Sequence, residues 1–249
     1  MLMNKMKSEV YKLNHSLLFW LHLILPILVA NVFILYYRVS TWEEIEKING
    51  YIQIISISFP LIIGIITVIA AEQEEQAGAF YPVLYTNSKI KTHLSKLAII
   101  LLYGLFSAMI AVIGFGILFR FIGSDLVSIF DYFMVALMVF IATLPIYIIH
   151  YLVAFAFGKS AGTILGIFGS LFSALLLTGL GDGLWMVLPW GILARSGSLY
   201  LQSKFYGVSI LSLISNKIGI IFLLIICMIL TAVFILWANK WEGRESIDS

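Results

Sequence analysis

The chain has 249 residues, of which 61% are hydrophobic and 11% charged, and its formal net charge is +2. Soluble domains carry about 25% charged residues, so this composition excludes a water-soluble domain of the same size. A near-neutral balance gives no grip on nucleic acid, and a single cysteine, Cys227, excludes an internal disulfide and a Cys/His zinc site.

Stretches free of Asp, Glu, Lys and Arg occur at 13–37, 48–71, 97–119, 132–158, 160–181 and 218–239. Each reaches about 20 residues, the length that crosses a hydrocarbon core of ~30 Å as a helix. The pattern predicts an all-α polytopic membrane protein. Its single transmembrane domain, 1–249, has six spans near 16–37, 50–71, 97–119, 132–156, 160–181 and 218–239. Lys5, Lys7 and Lys12 precede the first span. That span exceeds the h-region of a signal peptide (about 7–15 residues) and lacks a small-residue cleavage site, so a retained anchor is expected.

With six spans both termini share a side. That side holds Lys5, Lys7, Lys12, Lys89, Lys91, Lys96, Lys159, Lys240 and Arg244, against Arg38, Lys47, Arg120, Arg195, Lys204 and Lys217 on the other. The bias places both termini in the cytoplasm. Trp20, Trp237 and Trp241 mark one interface and Trp42, Trp185 and Trp190 the other, although simple apolar packing accounts for them equally well.

The loop 38–47 is short and acidic. The next, 72–96, opens with Glu72, Gln73, Glu74 and Glu75, continues through Ala77, Gly78 and Ala79, and then presents Phe80, Tyr81, Val83, Leu84 and Tyr85 around Pro82. Asn87 or Ser88 can cap a following helix that bears Lys89, Lys91 and Lys96. An acidic start followed by exposed aromatics reads as a short cytoplasmic helix docking into a partner's groove. The alternative is an amphipathic segment resting on the inner leaflet.

Pro26, Pro60 and Pro145 are candidate kinks, with Gly64 loosening the second span. In the fifth span Gly162, Gly166, Ser170 and Ala174 form a stripe of small residues that admits a close helix, either within the chain or from a second subunit. The outer loop 182–217 contains two uncharged twelve-residue runs, 183–194 and 205–216. These are too short to span and suit interfacial or re-entrant helices. Pro189 interrupts the first, Trp185, Trp190 and Tyr200 are expected at headgroup depth, and Arg195 belongs to the same region.

No catalytic, cofactor-binding or metal-ligating set emerges. The spans contain no Asp, Glu, Lys or Arg, and His15, His22 and His150 have no carboxylate partner in sequence, which speaks against a proton- or sodium-driven carrier. Hydrogen-bonding, buried or interfacial histidines are expected instead. Gly158-Lys159-Ser160 ends like a phosphate-binding loop, but Val153 stands where the first glycine is required, and the tripeptide falls in a tight turn between two spans. Glu74-Glu75 is like the acidic pair of intramembrane abortive-infection proteases, yet Ala79 stands where their arginine should be.

The layout resembles the permease subunits of type-2 ABC exporters. Six spans, a cytoplasmic helix with an acidic start between spans two and three, and a long outer region before span six all match. Within that group the chain is similar to the lantibiotic-immunity permeases, MutG-like or EpiE/MutE-like. The stretches KSEVYKLNHSLLFWLHLILPILVANVFILYY, FPLIIGIITVIAAEQEEQAGAFYPVL and LPWGILAR carry the likeness, and AEQEEQAG is the most specific part. Related permeases often place a proline and a basic residue after the cytoplasmic helix; here Thr86-Asn87-Ser88-Lys89 keeps only the lysine.

The resemblance implies a non-catalytic permease of the bacterial cytoplasmic membrane. It implies a separate ABC ATPase in two copies, which binds ATP and Mg, and a second permease, either homologous or identical. A cationic antimicrobial peptide, expelled from the lipid, would be the substrate. Glu72, Gln73, Glu74, Glu75, Gly78, Phe80, Tyr81 and Leu84 would form the ATPase-coupling interface, the acids accepting from basic groups while Phe80 and Leu84 fill its groove. Another type-2 permease exporting a lipid, drug or different peptide remains an alternative, as does a standalone secondary transporter.

Overall fold

A computed structural model describes residues 2–86, 88–122, 125–207 and 210–244. Among these every regular element is helical. They are α1 (Leu2–Asn14), α2 (Leu17–Tyr37), α3 (Glu44–Gln76), α4 (Tyr81–Leu84), α5 (Lys89–Arg120), α6 (Ile129–Leu177), α7 (Pro189–Phe205) and α8 (Ile210–Lys240), with a 3-10 turn at Gly179–Gly181. Five helices are long and apolar enough to cross a membrane: α2, α3, α5, α6 and the 217–240 part of α8.

The first charge-free stretch is divided. Ser16 has extended backbone and its Oγ accepts from Leu18 N, the N-cap arrangement that starts a new helix. What precedes it is a separate helix, α1, with Glu9 and Leu13 buried and Lys7 and Tyr11 exposed. Ser88 caps α5 in the same way, accepting from Lys91 N; Asn87, the other candidate cap, lies outside the described residues.

α6 has 49 residues, about 73 Å if straight and far more than one bilayer needs. It is not straight. Gly158 has φ 86 and ψ −166, outside helical space, and separates a limb 129–157 (α6a) from a limb 159–177 (α6b). A Cβ placed on Gly162 would lie 3.5 Å from Ala154 Cβ. Residues eight apart in a continuous helix are about 12 Å apart along the axis, so the chain doubles back at Gly158.

α3 is the central helix. Its most apolar window is 61% buried, whereas that of α8 is 17% buried. Both limbs of α6 pack on it, and the small-residue stripe of α6b is used inside the chain. A Cβ on Gly64 would come 3.0 Å from Gly166 Cα and 3.2 Å from the Gly162 carbonyl oxygen, so the backbones are nearly touching. Pro60 removes a backbone donor from α3, and one turn of the neighbouring ladder is tied across instead: Leu61 N donates to Ser170 Oγ at 3.0 Å. His150 is fully buried against Gly64, and among the described residues neither ring nitrogen has a hydrogen-bond partner, contrary to the expected bonded histidine. His22 does bond, Nδ1 lying 2.6 Å from the Leu18 carbonyl oxygen.

The outer region departs from two twelve-residue helices. Pro189 does not interrupt a helix but begins one, α7, at a position where its missing N–H is no loss. α7 runs through the boundary of the first run and ends at Phe205; of the second run, residues 208 and 209 lie outside the described residues and α8 starts at Ile210. α7 is wedged into the bundle: a Cβ on Gly197 would meet Ile52 Cγ2 at 2.5 Å and Val139 Cγ2 at 3.1 Å.

Candidate functional site

α3 is 33 residues, about 50 Å, so its last turn with Glu72, Gln73, Glu74 and Glu75 extends past the apolar layer. The acidic cluster is therefore the C-terminal end of α3 and not the opening of a separate helix. Beyond Ala77 the chain turns through three successive residues with positive φ: Gly78 at 124°, Ala79 at 48° and Phe80 at 64°. The loop takes up orphan carbonyls of α3, Ala79 N donating to Glu75 O at 2.6 Å and Phe80 N to Glu74 O at 3.0 Å. One helical turn, α4, follows.

This loop sorts its side chains sharply. Phe80 and Val83, expected on the outside, are each 1% exposed. Phe80 meets the Trp241 ring edge-on at 5.1 Å and lies 6.2 Å from Phe155. Leu84 is half-buried. Tyr81 and Tyr85, one turn apart, stack at 4.0 Å and stand 61% and 74% exposed, flanked by exposed Gln76, Ala77, Gly78, Ala79 and Pro82. Burial of the large Phe80 ring is favourable, and Phe155 of α6a and Trp241 just beyond α8 supply its aromatic neighbours.

The acids are likewise committed inside the chain. Glu74 is buried and accepts from Lys12 and Lys96, each at 2.7 Å. Glu9 of α1 bonds the same two lysines, Lys12 at 3.1 Å and Lys96 more closely. The four groups tie α1, α3 and α5 together. Burial opposes ionisation of Glu74, but the charge of Lys96 and the hydrogen bonds from Lys12 and Lys96 hold its carboxyl below the ordinary range. Glu72 pairs with Lys159 at 3.4 Å in the hairpin turn, and Glu75 pairs with Arg244 beyond α8. Gln73 is half-buried beside Glu9 and Lys12. The expectation of free acceptors at Glu72, Glu74 and Glu75 is thus corrected.

Behind the loop lies an aromatic cluster of Tyr151, Phe155, Trp237 and Trp241 around His93, whose Nδ1 is 2.8 Å from Tyr151 Oη. Burial, helped by the charge of Lys96, pushes His93 down to about 3, so its imidazole is neutral at ordinary pH.

The far end of the bundle has its own polar anchors. Asp131 accepts from Tyr200 at 2.9 Å and from Lys204, tying α7 to the start of α6. Burial works against the ionised form of Asp131, but its bonds to Lys204, Ser128 and Tyr200 keep its carboxyl below the ordinary range. Arg195 reaches the end of α6b, donating to Leu176 O at 3.0 Å and Thr178 O at 2.9 Å, and pairs with Asp182 at 2.8 Å. Its guanidinium lies 5.6 Å from the ring of Trp185, which is buried within the bundle. Trp190 packs against Phe172 at 5.9 Å and over Gly169. A cation on orphan carbonyls at a helix C-terminus stabilises it. Arg195→Ala is expected to lower stability by about 1–2 kcal/mol, read as a lower unfolding midpoint in detergent, with Arg195→Lys in between.

Between α6a, α7 and α8 lies a cavity of about 400 Å³. Met138, Ile141, Trp185, Ile192 and Leu223 wall it, with the hydroxyl-bearing Ser196, Tyr200 and Ser203 also in its lining.

Neither Glu9, Asp131 nor Arg244 stood out in the sequence. Glu9 and Lys12 are spaced three apart on one helix face, a visible signal, but their partners lie 62 and 87 residues away.

Residues 6–178, more than two thirds of the chain, match the family model described as ABC-2 family transporter protein. Comparison with the curated proteins and with the solved structures gives no match. The matched stretch contains the loop, the acid–lysine network and the Gly158 hairpin, and stops before α7. A bundle of long apolar helices whose charged groups gather at its ends, built on that family's sequence pattern, is a transport body: the chain belongs to the ABC-2 transporter family and is the membrane-spanning permease subunit of an ABC transporter, a class that works with an ABC ATPase.

Proposed function

We propose that this permease expels a lantibiotic-type antimicrobial peptide from the membrane and so confers immunity or resistance, working with two copies of its ATPase and with a second permease, homologous or identical. The bilayer is crossed six times, with α6a and α6b as separate crossings, and both termini and the Tyr81–Tyr85 face lie in the cytoplasm of a bacterial cell. The observation that carries the coupling role is the stacked, exposed Tyr81–Tyr85 pair on a loop anchored at both ends. Aromatic pairs that stay exposed on an otherwise inward-turned loop fit a groove in a partner. Glu74 and Phe80 act from within, holding the loop's base, while Gln76, Gly78, Tyr81 and Tyr85 make the contact.

The substrate class comes from the sequence resemblance. Its test is co-expression with the ABC ATPase, co-purification, and measurement of ATPase rate and cell survival with nisin-like peptides. The Tyr81→Ala/Tyr85→Ala double variant is expected to weaken ATPase retention by at least about tenfold, since two aromatic anchors at 1–2 kcal/mol each are removed, with membrane insertion intact. Undiminished retention and survival would refute the docking role.

The cavity favours a second reading. Its volume suits the apolar part of a small ligand and its walls are almost wholly hydrocarbon, so a lipid or drug is the alternative cargo. Stimulation of the ATPase by lipid or drug but not by peptide would select it.

A further inference from the structure

The segment after α8 folds back beneath the loop that follows α3. Lys89 Nζ donates to the Trp241 carbonyl oxygen at 2.8 Å, and the Trp241 ring meets Phe80. Gly243, at φ 97°, turns the chain so tightly that a Cβ there would lie 3.2 Å from Leu84 Cδ1. Arg244 then makes three different contacts. It pairs with Glu75 at the end of α3, donates from Nη1 to Ala154 O at 3.1 Å, and sets its guanidinium 5.5 Å from the Phe80 ring centroid.

Each contact answers a local need. Ala154 stands four residues before Gly158, in the last turn of α6a, and a cation suits that negative helix end. Glu75 is the last acid of α3 and is only part-exposed. Ala79 and Phe80 hold left-handed backbone that non-glycine residues adopt only where their surroundings enforce it. The Arg244 guanidinium packs on the ring of Phe80, which also meets Trp241 and Phe155. One side chain therefore joins the end of α3, the α6 hairpin and the strained loop, from a segment beyond the stretch that the family model matches.

We propose that Trp241–Arg244 is a clamp that fixes the left-handed loop, with Arg244 as the positioning residue for the exposed Tyr81–Tyr85 face. The role in coupling rests on the reading of that face as the ATPase-docking element; the clamp itself does not.

The test uses the full-length chain with Cys227→Ala and Val83→Cys, since Val83 is buried under the loop. Maleimide labelling of that thiol is followed in proteoliposomes without ATPase. Arg244→Ala is expected to raise the labelling rate about tenfold, the effect of losing one charge-assisted hydrogen bond. Arg244→Lys keeps the charge but not the planar fork, so a smaller rise is expected. Glu75→Gln releases the same contact from the other side and serves if Arg244→Ala fails to insert. Unchanged labelling in the Arg244 and Glu75 variants overturns the clamp. In parallel, retention of the co-expressed ABC ATPase is measured. Faster labelling with weaker retention supports clamp and docking together; faster labelling with full retention keeps the clamp and rejects the docking face.

Discussion

Gly158→Ala is expected to destabilise the permease by about 3 kcal/mol, from left-handed backbone strain of about 1–3 kcal/mol together with a displaced arginine. The backbone at Gly158, φ 86 and ψ −166, lies in a region essentially closed to residues with a Cβ. A Cβ there would also fall 2.5 Å from Arg244 Nη1 and 3.0 Å from its Cζ. Arg244 is held by Glu75, Ala154 and Phe80, so it cannot swing aside without releasing all three. The turn matters globally because α6a and α6b reach α3 only if the chain reverses there. Gly183 gives a comparison without the clash: it has φ 82° but nothing within 4 Å of its absent Cβ, so Gly183→Ala carries the strain of a positive φ alone. In unfolding experiments in detergent the Gly158→Ala/Arg244→Ala double variant should lose less than the sum of the two singles, because the clash disappears with the guanidinium. Additive losses would show that Arg244 does not occupy that space.

Features that depend on one stretch of chain were legible in the sequence. Charge-free runs of helical length mark where long apolar helices form, and the turn at Gly158-Lys159-Ser160 is announced by glycine between two such runs. The four-residue spacing of Gly162, Gly166 and Ser170 marks a close helix approach, though not which helix approaches. What was hidden depends on distant partners. Glu74 and Lys96 stand in the charged segment between two charge-free runs, where the sequence shows no partner for either within the chain, yet each is buried because the other is opposite it. Phe80 looks like a docking residue beside exposed tyrosines until Trp241, over 150 positions later, closes over it. α1 has no signal of its own in the sequence: the first span is expected from 16, and only the N-cap geometry of Ser16 shows that a separate helix precedes it.

The buried acid–lysine network sets the second large effect. Glu74→Ala removes the carboxylate shared by Lys12 and Lys96, leaving Lys96, only 5% exposed at its side chain, with Glu9 alone. Breaking a buried pair from one side destabilises by about 3–5 kcal/mol when no partner is left; the remaining Glu9 contact places this variant near 3. Replacing both members, Glu74→Leu with Lys96→Met, is expected to recover most of that loss, because a matched apolar pair carries no stranded charge. The pH dependence has a defined sign. The Glu74 carboxyl is held below its ordinary 4.5, so its contribution is complete above that value and disappears as the pH falls through the folded-state value. The Lys12 ammonium is raised above its ordinary 10.5: burial lowers it, but the bonds and charges of Glu74 and Glu9 outweigh that, so its contribution disappears as the pH rises through the higher folded-state value. The wild-type unfolding midpoint should therefore fall at both extremes. The apolar double variant should be flatter with pH at the acid end, and an acid limb of unchanged steepness would mean that Glu74 does not hold α1 and α5 to the end of α3.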